Sequence, residues 1–86
     1  MPLRPGDVLA IGLTHDRVVF GEVTAVNDHA FRLNGYSPTL NRFNAGITIV
    51  DWRQVAEYGP VADRNDDHSP IMGPLLDWAE RWRSRG

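Results

Sequence analysis

One segment, residues 17–26, constrains the fold more than any other part of the chain. It is rich in β-branched residues and carries Phe20 and Gly21 near its middle, which is typical of a β-strand. Before Gly21 the even positions are apolar (Val18 and Phe20), whereas after it the odd positions Val23 and Ala25 are apolar. The inward face is therefore expected to switch at this glycine. The sequence predicts a long strand with a bulge or sharp bend at Gly21, the device by which small barrels close on themselves.

Four shorter segments also have strand character, and turn residues such as Pro5-Gly6-Asp7 separate them. Residues 50–55 indicate a tight helical turn before the last strand, and we expect Trp52 to cap the core. The predicted strands cover residues 8–13, 17–26, 30–34, 47–50 and 55–58.

The order of these features resembles that of the SH3-like and Sm-like small barrels. A Pro-Gly-Asp turn comes first, then a long bent strand, a meander, and a Val-x-Trp-x-x-Val corner before a short final strand. The resemblance covers residues 5–58 and rests on pattern, without a family-specific motif. It implies a mainly β fold: a small five-stranded antiparallel barrel, or a strongly bent sheet. We therefore predict a β-barrel domain over residues 1–58.

Residues 59–70 have the composition of a linker, with three aspartates and the prolines Pro60 and Pro70. The segment that follows, residues 71–86, is predicted to hold a short amphipathic helix. Gly73-Pro74 suits a helix N-terminus, so we expect the helix over residues 74–84.

The apolar face of this helix is defined by Leu75, Trp78 and Trp82, which fall at i, i+3 and i+7. So short a helix is unstable in water unless that face is buried. It is expected to dock either on its own barrel or on a partner, and the sequence leaves both open.

Missing residue types exclude several kinds of chemistry. The chain has no cysteine and no lysine, which excludes disulfides, thiolate nucleophiles, cysteine zinc sites, Schiff-base catalysis and a P-loop. A formal net charge of −2 provides no global attraction to nucleic acid or to an anionic membrane. No apolar run is long enough to span a membrane, and the N-terminus has no small-residue cleavage site. We expect a soluble cytoplasmic protein with no membrane partner.

Each of the three histidines neighbours an aspartate, which suggests metal binding or acid–base catalysis. His15 and His29 lie at opposite ends of the long strand, about 30 Å apart at about 3.3 Å per residue, so they cannot share an ion. His15 and His68 could meet, but turns commonly contain solvated histidine and aspartate. We therefore predict no metal, no cofactor and no catalytic residue.

The long loop over residues 35–46 is the strongest candidate for binding. It carries Tyr36, Arg42 and Phe43, and loops on rigid sheets often carry binding functions. By strand order it lies at the same end of the barrel as His15. Alternatively, Leu40 and Phe43 fold back to plug the barrel mouth.

These features together predict a non-catalytic protein-interaction module, whose partner is another protein or a second copy of the chain. The predicted binding residues are Tyr36, Arg42, Phe43, His15, Trp78 and Trp82. The alternative is a small barrel that binds single-stranded RNA or DNA through Phe20, Phe31, Arg32, Tyr36 and Arg42. The negative net charge disfavours that alternative. An enzyme with a His/Asp site is the third hypothesis.

Overall fold

A computed structural model describes residues 3–14 and 16–85. The fold is mainly β, with five antiparallel strands in one sheet and a short C-terminal helix, as the sequence predicts. The strands are β1 (Val8–Thr14), β2 (Arg17–Val26), β3 (Ala30–Gly35), β4 (Ile47–Asp51) and β5 (Glu57–Val61). A 3-10 helix, Trp52–Gln54, joins β4 to β5, and the C-terminal helix α1 spans Gly73–Ser84.

The sheet is strongly bent but not closed. Its strand order is β4-β3-β2-β1-β5, so the last two strands of the chain form opposite edges. The link between them, residues 52–56, coils as a 3-10 helix over three of its residues, where the rise is only about 2 Å per residue. It is too short to cross a flat five-stranded sheet, whose edge strands would lie about 19 Å apart. The sheet must therefore curl to bring its edges towards each other.

The bent sheet buries apolar side chains on both faces. One face is enclosed by the bend, with Trp52, Val55 and Tyr58 packed against its buried residues. The other face is covered by α1. The enclosed layer consists of Leu9, Ile11, Val23, Phe31, Leu33 and Val50. The helix-covered layer consists of Val8, Ala10, Phe20, Tyr36, Leu75 and Ala79.

The predicted switch of the inward face at Gly21 is wrong. Phe20 lies in the helix-covered layer and Val23 in the enclosed layer, so ordinary alternation runs through the glycine. The bulge lies further along, where the pairing of β2 with β3 shifts between Val23 and Ala25. The prediction assumed one core, whereas this strand is apolar on both sides. Gly21 serves close strand packing instead, because a Cβ there would lie 2.7 Å from the carbonyl oxygen of Asn34.

β5 covers Glu57–Val61 rather than the predicted residues 55–58. Val55 instead ends the 3-10 helix, where its N–H donates to the carbonyl of Trp52 at 3.4 Å. Composition predicts a linker at Gly59 and Pro60, yet both residues lie within this strand. An edge strand tolerates proline because, on its outer side, the backbone N–H groups form no hydrogen bonds to a neighbouring strand.

α1 packs on the sheet of its own chain, the first of the two dockings that the sequence leaves open. Leu75 and Ala79 are buried, at 0% and 1% exposure. The rings of Trp78 and Trp82 stack with centroids 5.5 Å apart, and they lie against Gly59 and Gly12 respectively. Within residues 3–14 and 16–85, no helix has the length and apolar character needed to cross a membrane.

Candidate functional site

A cleft of about 620 Å³ lies between two loops beside the helix-covered layer. We call it the loop cleft. Its first wall comes from the loop after β3 and consists of Tyr36, Asn41, Arg42 and Phe43. Its second wall comes from the segment between β5 and α1 and consists of Asn65, Ser69, Pro70, Ile71 and Met72.

Tyr36 anchors the first wall to the sheet. Its N–H donates to the carbonyl of Phe20 at 2.9 Å, and its hydroxyl donates to the Oδ1 atom of Asn41. Its ring meets that of Phe43 edge-on, with centroids 5.1 Å apart. Tyr36 is only 6% exposed, so it supports the cleft more than it offers surface. Phe43 folds back onto the apolar layer as the plug hypothesis expected, whereas Leu40 stays exposed.

Arg42 projects a charged group at the rim of the cleft. Its backbone pairs with Ser37, whose N–H donates to the Arg42 carbonyl at 2.9 Å, and this closes a tight turn. Asn41 takes the left-handed conformation in that turn (φ 54°), which asparagine tolerates better than most residues. When the side-chain amide of Asn44 is turned so that its oxygen faces Arg42, that oxygen accepts from Arg42 Nε at 2.8 Å and from Nη2 at 3.1 Å. No carboxylate of the described residues forms an ion pair with Arg42.

Side-chain hydrogen bonds order the second wall. Asp67 Oδ1 accepts from the hydroxyl of Ser69 at 2.6 Å and from its N–H at 3.0 Å, and these bonds lower the pKa of Asp67, the hydroxyl bond most. The Ser69 carbonyl accepts from the N–H of Asn65 at 2.8 Å. The Arg64 side chain donates to the carbonyl of His68 in this turn and to the carbonyl of Gly6, which precedes β1, so it connects the two segments. Residues 64–69 of the predicted linker segment are thus ordered by hydrogen bonds.

The two walls bring apolar, amide and cationic groups together. Phe43 and Met72 are half-buried and pack on the helix-covered layer, Ile71 is 37% exposed, and Arg42 supplies a positive charge. No histidine and no carboxylate is among the lining residues within the described chain. Nor do the described residues contain a group of three or more side chains able to hold a metal ion. The cleft can therefore receive apolar and anionic groups, but it has no acid–base pair.

The other predicted site residues lie elsewhere or cannot be placed. His15 lies outside the described residues. Trp78 and Trp82 lie on α1, where they pack against the sheet, and they do not line the cleft. The structure thus brings Tyr36, Arg42 and Phe43 together in the cleft, which neither tryptophan lines, although Trp78 packs against the same apolar layer as Tyr36 and Phe43. The sequence pattern does not predict the second wall, although the apolar pair Ile71-Met72 between a proline and a glycine is a signal for it.

A second concave surface, of about 440 Å³, lies at the turn between β2 and β3 and the 3-10 helix. It is lined by Asp28, His29, Asp51, Trp52 and Arg53, and the side chains of the last three are engaged in contacts within the fold. Trp52 caps the core as predicted: its Nε1 donates to the carbonyl of Asn27 at 2.8 Å, and its ring lies 4.6 Å from that of Phe31. Asp51 accepts from the side chain and the N–H of Arg53, which lowers its pKa.

Comparisons of the chain with protein-family models, with curated proteins and with solved structures gave no match in any of the three.

Proposed function

We propose that this protein is a non-catalytic protein-interaction module, and that its loop cleft binds a short segment of another protein. The preferred segment carries an apolar side chain next to a carboxylate. The observation that supports this most directly is the Arg42 guanidinium, which has no acidic partner among the described residues and stands at the rim of an apolar cleft.

The apolar part of the ligand would contact the floor and the second wall. Ile71 retains 37% of its exposure beside half-buried Met72 and Phe43, so a bound apolar side chain removes further apolar area from water. Such burial stabilises a complex by roughly 25 cal/mol per Å². The cleft volume of about 620 Å³ is enough for one or two large side chains rather than a whole domain.

The acidic part of the ligand would pair with Arg42. Asn44 holds the Nε and Nη2 atoms, which orients the planar guanidinium without neutralising its charge. A carboxylate on a neighbouring position of the ligand can then accept charge-assisted hydrogen bonds, which are stronger than neutral ones. The arginine would thus set ligand orientation as well as affinity.

Two features, one of the cleft and one of the turn beside it, support binding rather than catalysis. The lining residues include no histidine and no carboxylate. His68 is exposed in a turn with a left-handed backbone (φ 67°), and its own backbone carbonyl accepts from Arg64. That position suits a turn residue better than a general base.

We further propose that the domain is an SH3-like barrel left open along one side. The strand order and the 3-10 helix between the last two strands support this resemblance. Fold alone does not fix a function, so the cleft carries the functional argument.

No observation favours the alternative of single-stranded nucleic-acid binding. Base stacking needs exposed ring faces, yet Phe20, Phe31 and Tyr36 are only 7%, 2% and 6% exposed.

Selection from a random peptide library tests the proposal. We expect enrichment of peptides with an apolar residue adjacent to Asp or Glu. Arg42→Glu should weaken the selected peptide at least about tenfold, because a hydrogen bond to a charged group contributes about 1.5–3 kcal/mol. Arg81→Glu, a charge reversal at an exposed arginine on α1, is the matched control and should bind as the wild type does. Enrichment of no peptide, or equal binding by Arg42→Glu, would contradict the proposal.

A further inference from the structure

The β4 edge carries the two most exposed large apolar side chains of the described chain. Ile47 is 63% exposed and Ile49 is 69% exposed. They are alternate residues of one strand, so both side chains lie on the same face of the sheet. Among the described strands β4 pairs with β3 alone, so its other side is open.

The hydrogen bonds around β4 show which backbone groups point outwards. The Gly46 carbonyl accepts from the N–H of Gly35 at 2.8 Å, and the Trp52 N–H donates to the carbonyl of His29 at 3.2 Å. Both even-numbered residues therefore bond towards β3. Because hydrogen-bonding direction alternates along an antiparallel strand, Ile47 and Ile49 direct their N–H and C=O groups away from the sheet.

The open stretch of this edge is bounded at one end by a side chain. Asp51 also directs its backbone outwards by the same alternation, but its N–H donates to the Oε1 atom of Gln54 at 3.1 Å. Among the described residues, the outward N–H groups of β4 that have no partner are therefore those of Ile47 and Ile49, the same residues whose side chains are exposed.

The opposite edge is protected. Pro60 in β5 has no N–H to offer an incoming strand, and the pairing of β5 with β1 is irregular between Leu9 and Ile11. The ring of Trp78 also lies against Gly59. The two edges differ, so a repeating head-to-tail arrangement in which β4 pairs with β5 of the next copy is disfavoured.

We propose that β4 pairs antiparallel with β4 of a second copy of this chain, about a two-fold axis that passes through Thr48. In this register Ile47 lies opposite the partner's Ile49, and Ile49 lies opposite the partner's Ile47. Each such pair exchanges both backbone hydrogen bonds, so every open group of Ile47 and Ile49 on both copies is satisfied. The isoleucines then form directly opposed cross-strand pairs on one face, an arrangement that stabilises sheets.

The β4 edge is complementary to a second β4 edge rather than to an unrelated strand. The open groups sit on two residues that are symmetric about Thr48, so one copy presents the complement of the other. Residues 45–50 carry no charge, so two copies do not repel each other there. The next pair outwards would use the partner's Asp51, whose N–H is already bound by the partner's Gln54, so pairing ends where the symmetric register ends.

The contact is small, so we expect reversible association at high protein concentration. Sedimentation velocity at protein concentrations from about 10 µM to about 1 mM covers the dissociation constants expected of an interface that buries well below about 1,200 Å². The wild type should shift from monomer to dimer. Ile49→Lys should remain monomeric, and Val61→Lys, a change at the 50% exposed valine of the other edge strand, should dimerise like the wild type. A monomeric wild type across this range, or dimerisation of Ile49→Lys equal to that of the wild type, overturns the proposal.

Amide hydrogen exchange of the wild type supplies a test that does not depend on any variant folding. The N–H groups of Ile47 and Ile49 should exchange more slowly as protein concentration rises. A dimer that forms without slowing these two amides would overturn the β4 pairing. The β4 edge shares no lining residue with the loop cleft, so this result is independent of the peptide-binding proposal.

Discussion

The indole Nε1 of Trp82 donates a hydrogen bond to the backbone carbonyl of Thr14 at 2.6 Å. This bond ties the last turns of α1 to the end of β1. Arg85 adds a second tie, since its guanidinium lies 5.1 Å from the centroid of the Trp82 ring and 2.7 Å from Glu57 Oε2. Trp82 is therefore occupied within its own domain, and the helix is a structural element of the fold.

Replacing Trp82 with phenylalanine should remove this hydrogen bond and keep most of the ring packing. We expect the free energy of unfolding to fall by about 1 kcal/mol for the bond, plus a contribution from the smaller ring. Urea unfolding followed by circular dichroism measures the change. An unchanged midpoint would show that the bond to Thr14 does not contribute to stability.

Gly12→Ala should disturb the same docking from the sheet side. A Cβ at Gly12 would lie 2.6 Å from an atom of the Trp82 ring, so the ring and the end of α1 must shift. Overpacking of this kind typically costs about 1–3 kcal/mol. Gly73→Ala is the matched control, because nothing lies within 4 Å of a Cβ there. Thermal unfolding should show a lower midpoint for Gly12→Ala than for the wild type, and no decrease for the control. Equal midpoints for the two variants would contradict the packing of Trp82 against Gly12.

Phe31→Ala should be the most damaging of the substitutions considered. Phe31 is 2% exposed in the enclosed layer and contacts the ring of Trp52, so its loss leaves a cavity that the bent sheet cannot fill. Such changes cost about 3–5 kcal/mol. Leu40→Ala, at a residue that is 55% exposed, should change stability by less than about 0.5 kcal/mol. Chemical denaturation of both variants separates the two predictions, and similar losses would refute the assignment of the core.

The Asp51 carboxylate should make stability depend on pH in the acid range. Its hydrogen bond from the Arg53 side chain lowers the pKa of Asp51 below the usual 3.8. A depressed carboxyl pKa contributes stability above the unfolded value, and that contribution is lost as the pH falls through the folded value. Asp51→Asn retains an oxygen for the cap and removes the charge. When the pH is lowered from 7 to below about 4, the unfolding midpoint of the wild type should fall further than that of this variant. If the two midpoints fall in parallel, the Asp51 carboxylate does not contribute this pH dependence.

Much of the architecture could be predicted because its signals are local. Turn residues, β-branched runs and the i, i+3, i+7 spacing of Leu75, Trp78 and Trp82 predict the strands and the helix without knowledge of tertiary packing. The supposed face switch at Gly21 failed because alternation cannot reveal two apolar layers, one enclosed by the bend and one covered by a helix.

The candidate site was only half predictable for a related reason. Its first wall is one loop with aromatic and cationic residues, and Tyr36, Arg42 and Phe43 stand close in sequence. Its second wall faces the first only because β5 continues to Val61 and the chain then turns back through hydrogen bonds of Ser69 and Asp67. Composition gives the polar character of residues 59–70 but not those tertiary contacts.

The proposed function is tested most directly by mapping a selected peptide on the protein with ¹⁵N chemical-shift perturbation. The account predicts saturable changes in the amides of residues 36–44 and 65–72, and the same peptide should perturb them much less in Arg42→Glu. It also predicts little change in β4, whose edge is assigned to self-association. Perturbations confined to β4, to α1 or to the turn around Asp28 would contradict the claim that the loop cleft is the binding site.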